Sequence, residues 1–171
     1  MDVYPIVLRL LHIGGGVFWA GSTFFMAFLM SPAVRMAGEG GQQYMRTLTQ
    51  RTPLATFMSV SSLLNVISGI LLYWRASAGF RSNWMASGMG ITLAIGGLAG
   101  LIATVIGTLV NRSLAEKIGA LGKEIQASGG PPTPEQLAQM RKYQAGLASA
   151  LKWSAVLLAI SVVTMAVARY V

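Results

Sequence analysis

The run from Ile6 to Met30, IVLRLLHIGGGVFWAGSTFFMAFLM, constrains this chain more than any other feature. Only two basic side chains, Arg9 and His12, interrupt it. At about 1.5 Å of rise per residue, a helix of this length more than crosses a hydrocarbon layer of about 30 Å. Pro5 suits a first helical turn, where its missing N–H is not needed. Composition agrees: 54% of residues are hydrophobic and 11% charged, against about 25% charged in soluble domains. Asp2 stands where a secretory leader is basic, and the run exceeds the usual core of about 7–15 residues, so it reads as a permanent span.

Three further runs follow. Ser31-Pro32 is expected to end the first span, leaving Ala33 to Arg51 as a polar loop with a short helix. Thr52 as cap and Pro53 in the first turn open a second helix, Leu54 to Trp74. Its mid-span Asn65 should face the bundle, since an amide at that depth needs a partner, and an interhelical hydrogen bond is the plain reading. Tyr73, Trp74 and Trp84 form an interfacial aromatic belt. The third span, Met85 to Val110, carries a small-residue stripe of Gly96, Gly100, Ala103 and Gly107 that allows close helix approach.

Beyond Arg112 the apolar spacing of Leu114, Ile118, Leu121 and Ile125 continues among charges, as an amphipathic extension does. Ser128 to Pro132 breaks it, and Thr133-Pro134-Glu135-Gln136 reads as a capping box that starts a returning helix. The fold expected is all-α: a four-transmembrane-helix bundle in a single membrane domain, residues 1–171. Its spans are near 5–31, 53–75, 84–111 and 152–170, with an antiparallel helical hairpin at about 112–151.

The net charge of +8 lies between the apolar runs, so it is a topology signal and no nucleic-acid partner is expected. Arg35, Arg46 and Arg51 share one side with Arg112, Lys117, Lys123, Arg141, Lys142 and Lys152. Arg75 and Arg81, with Arg9 and Arg169, lie opposite. The positive-inside bias puts both termini outside and the hairpin in the cytoplasm. The absence of cysteine removes disulfides, thiolate metal sites and thiol nucleophiles.

Chemistry centres on His12, the chain's one histidine. His12, Gly16, Trp19, Thr23 and Met26 share a helical face, and Gly14, Gly15 and Gly16 open a shelf without side chains beside the imidazole. Two turns, about 10 Å, separate His12 from its helix end. That depth is shared by Ser68, Gly69, Met89, Ser161, Thr164 and Met165. Three readings stand open. In the first, His12 is an axial ligand to haem b, with Gly15 and Gly16 making room, Trp19 packing on the macrocycle and Arg9 or Arg169 pairing with a propionate. In the second, His12, Met85, Met89 and Met165 hold Cu(I), which favours thioether and imidazole donors. In the third, His12 hydrogen-bonds another helix, no cofactor binds, and the chain is a packing or accessory subunit. With no carboxylate inside any span, no phosphate loop and no Ser–His pairing, no catalytic residue is assigned.

Leu11-His12 followed by Trp19-Ala20-Gly21 resembles the LH…W-x-G signature of the copper-resistance protein D and HemJ-like superfamily of small four-helix membrane proteins. The ending GGPPTPEQ…MAVARY is similar to small members with no assigned role. The resemblance implies a bacterial-type inner membrane and a haem or metal role for His12; the partner expected is a homodimer, which would share the haem's second ligand, or, on the accessory reading, a larger membrane complex. The oxidase branch uses a lysine in a later span; span three here has none, which disfavours protoporphyrinogen oxidation.

Overall fold

The computed structural model describes residues 2–171, apart from the side chain of Gln50. Four helices are long and apolar enough to cross a membrane: α1 (Val3–Met36), α3 (Leu54–Ala76), α5 (Gly88–Ala127) and α6 (Pro134–Tyr170). The surface helix α2 (Gly38–Arg51) and the single turn α4 (Ser82–Met85) complete the order. There is no strand among the described residues, and the chain is a multi-pass helical membrane protein.

Two tightly packed pairs make the bundle, α1 with α3 and α5 with α6, and thinner α1–α6 and α3–α5 contacts close the ring. All four spans meet at one level, where Trp19, Ala20, Ala103 and Leu158 pack with Met58 and Leu157. Large apolar side chains such as Leu10, Val17, Leu63, Leu98 and Val163 point outward, as a lipid-facing surface requires. At one end Tyr73 packs edge-on against Trp84, with centroids 5.3 Å apart, and donates its hydroxyl to Gly90 O at 3.2 Å. There too Asp2 accepts from Tyr4 N and pairs with Arg75 at 2.5 Å.

Several boundaries move. Pro32 does not end the first helix. A π-helical turn, Phe25–Met30, precedes it, with the Ser31 N–H reaching back to Met26 O. This wider turn absorbs the ring clash and missing donor that a proline brings to a helix interior, so α1 continues to Met36. The expected polar loop is mostly α2, folded back at Gly38, whose φ of +58° suits glycine. Val34 O sits 2.5 Å from where a Gly41 side chain would begin, so that corner is closed to any larger residue. Pro53, not Thr52, occupies the cap of α3, while Thr52 Oγ1 accepts from Leu54 N at 3.4 Å. Span three starts at Gly88 rather than Met85, because Ser87 caps it by accepting from Gly90 N at 3.1 Å.

The extension is as expected. The helix of span three runs unbroken to Ala127 through a second π-helical turn, Ile106–Asn111. The capping box at Thr133 has both bonds, Thr133 N to Gln136 Oε1 at 3.0 Å and Gln136 N to Thr133 Oγ1 at 3.3 Å. Arg46 of α2 lies against Gly122 of α5, its Nη2 3.1 Å from where a Cβ would sit, so surface helix and hairpin share one end of the bundle.

Candidate functional site

The buried face of α1 carries Leu8, Trp19, Ala20, Thr23 and Ala27, with His12, Gly15 and Gly16 half-buried in the same stripe. That stripe meets α3. His12 Nδ1 lies 2.8 Å from Asn65 O. A carbonyl only accepts, so Nδ1 carries a proton, and Nε2 is the ring nitrogen left outside this bond. In return Asn65 Nδ2 donates to His12 O at 2.6 Å. Each residue therefore offers a side-chain donor to the other's backbone carbonyl.

Three glycines make this reciprocal clasp possible. A Cβ on Gly69 would lie 2.8 Å from His12 Cε1 and 3.1 Å from Nδ1, so the imidazole packs directly on the α3 backbone. A Cβ on Gly16 would sit 2.7 Å from Asn65 Nδ2, and one on Gly15 would sit 3.1 Å from Ser61 O. Gly14 has no such neighbour within 4 Å. The open shelf expected beside the imidazole is thus closed: Gly15 and Gly16 are covered by α3, because absent side chains let two backbones approach as readily as they admit a guest.

Trp19 is 6% exposed and packs in the four-helix core. Arg9 is exposed and makes no ion pair among the described residues.

The three methionines lie on three different elements. Met85 ends α4 while Met89 lies in the first turn of α5, with the Ala86-Ser87 break between them, so the helical i, i+4 geometry expected for a copper site is absent. Met165 packs near Gly96 in the other helix pair, and its Sδ is 3.9 Å from Ser161 Oγ. Among the described residues no three His, Asp or Glu side chains gather as a metal set.

Depth reckoning from the helix rise places Gly69 opposite His12, and the contact is there. The role of Gly69 as the seat of the ring is not evident from depth alone. Its spacing from Asn65, one turn along the same helix face, was the available signal. No family model, curated protein or solved structure matches this chain.

Proposed function

We propose that this chain is a non-catalytic integral membrane protein, an accessory or packing subunit of a larger assembly in a bacterial-type inner membrane. Both termini lie outside and the basic hairpin is displayed in the cytoplasm, following the positive-inside bias. The observation that carries this reading is the His12–Asn65 clasp. An intramembrane histidine favours function by default, but this one has its Nδ1 proton and its ring face committed to holding α1 on α3.

The test is an absorption spectrum and metal analysis of the protein purified in detergent from cells supplied with haem and copper, with native electrophoresis of the solubilised membrane. A colourless, metal-free protein migrating in a complex larger than itself is expected. A Soret band lost in His12→Gln would overturn the reading. A reporter at Gly129 should give a cytoplasmic signal.

A second reading is favoured by one observation. Donation of Nδ1–H to a carbonyl is how ligating histidines are commonly oriented, leaving Nε2 for a metal. Nε2 has no hydrogen-bond partner among the described residues. Copper(I) at that nitrogen would draw its other donors from beyond the present cluster, such as a second copy of the chain. Metal binding that vanishes in His12→Gln while the fold survives would select it, in line with the LH…W-x-G resemblance.

A further inference from the structure

Where α1 leaves the apolar layer, its π-helical turn and the surface helix α2 enclose a cleft of about 200 Å³. Ser22, Phe25, Met26 and Met30 of α1 line it together with Tyr44 and Leu48 of α2 and Leu54 of α3. The cleft opens sideways: Phe25 and Tyr44 are 48% and 56% exposed. Its depth follows from the helix rise. Leu54 to Trp74 spans about 30 Å, so with Trp74 in the aromatic belt Leu54 lies at the opposite hydrocarbon boundary.

The charge beside the cleft is one-sided. Tyr44, Leu48 and Arg51 recur at steps of four and three, so Arg51 extends the cleft-lining face of α2 by one turn. Arg51 is exposed, and no carboxylate pairs with it among the described residues. Between Met30 and Leu54 there are three arginines against the single carboxylate of Glu39. An apolar slot at the hydrocarbon edge, with an unpaired guanidinium at headgroup level, is complementary to a molecule with an acyl chain and a phosphate.

We infer that this cleft binds an anionic phospholipid of the surrounding leaflet, one acyl chain lying along Phe25, Met26, Met30, Tyr44 and Leu48 and the phosphate on Arg51. The fold-back at Gly38 sets α2 beside the π-helical turn, and so builds the slot. The site is independent of the His12 clasp, so failure of either proposal leaves the other standing.

The test uses the full chain, delipidated in a neutral detergent. Native mass spectrometry and thermal unfolding are compared with phosphatidylglycerol, with phosphatidylcholine of the same chains, and with inorganic phosphate. Expected are a bound phosphatidylglycerol and a raised Tm. Its preference over phosphatidylcholine should fall about fivefold in Arg51→Gln, the scale of one basic residue near a charged lipid surface. Arg141→Gln, an exposed hairpin charge, should leave the preference unchanged. Leu48→Trp, which fills the slot, should reduce binding of both lipids. Equal binding of the two lipids, an undiminished preference in Arg51→Gln, an equal loss in Arg141→Gln, stabilisation by phosphate alone, or occlusion of the cleft by a second copy would each overturn the inference.

Discussion

The two helix pairs solve one packing problem by different means. In each, a glycine on the first helix meets the backbone carbonyl of a serine on the second: Gly15 against Ser61 O, and Gly96 against Ser161 O. One turn beyond that serine the chemistries part. Asn65 bonds across to His12, whereas Met165 offers a thioether beside Gly96. The hydroxyls of the second pair are satisfied within their own helix, Thr164 Oγ1 donating to Ile160 O at 2.8 Å. Polar bonding across helices in that pair falls toward its basic end, where Asn111 Nδ2 and Ser154 Oγ are 3.4 Å apart, and in the hairpin, where Gln136 Nε2 donates to Glu124 Oε1 at 3.2 Å. Lipid tails are as apolar as leucine, so the second pair is held by close van der Waals contact and the first by contact plus a directional lock. The lock also fixes the rotation of α1 about its axis.

The largest effect should come from spoiling close contact. Gly96→Leu would drive a side chain into Thr164 Oγ1 and Ser161 O, and should lower stability by about 3 kcal/mol or prevent assembly. Thermal unfolding in detergent measures it. If Gly96→Leu were tolerated, the second pair would need another source of cohesion.

Next is the lock. Asn65→Ala should destabilise by about 1 kcal/mol, with the His12→Ala/Asn65→Ala double-mutant cycle showing a coupling of similar size. Additive single effects would reduce the clasp to two independent contacts. Smaller and opposite in sign are Gly14→Ala and Gly97→Ala, whose added methyl groups meet nothing within 4 Å. Each should raise stability by up to about 1 kcal/mol through helix propensity alone, which separates glycines that serve approach from those that do not.

The smallest effect lies outside the bilayer. At the start of α6, the carboxyl of Glu135 is held below its ordinary pKa by its own backbone N–H and then by the Thr133 hydroxyl. A lowered folded value means that this stabilisation is present above the ordinary glutamate range, near 4.3, and is lost as pH falls through the lowered value. Protection of the amides of residues 135–138, taken relative to their intrinsic exchange rates, should therefore fall below about pH 4 in the wild type. The pH dependence should be weaker in Glu135→Gln.

The fold was legible because it rests on hydropathy and local capping. Four apolar runs, the box at Thr133 and the amphipathic stripe through Leu121 each specify their own element without long-range information. Pro32 misled because a proline's stopping power depends on whether the preceding turn can widen, and Phe25–Met30 carries no sequence mark of doing so. Gly107 misled in the opposite way: it extends the stripe of Gly96 and Gly100 in spacing, yet nothing lies within 4 Å of it. At the site, His12, Asn65 and Gly69 could each be singled out from residue type and depth. Their mutual pairing could not, because glycines at helical spacing admit a guest or a neighbouring backbone equally well, and only the approach of α3 decides between them.

Helix α6 has a further consequence. Its run from Pro134 to Tyr170 is about 55 Å long, against about 30 Å of hydrocarbon, so roughly 25 Å stands clear of the lipid with no joint at the surface. A rod of that kind leans as a whole when bilayer thickness changes. A tilt of about 10° would carry the projecting tip sideways by about 4 Å, so any change in the lean of the span would be magnified at the hairpin.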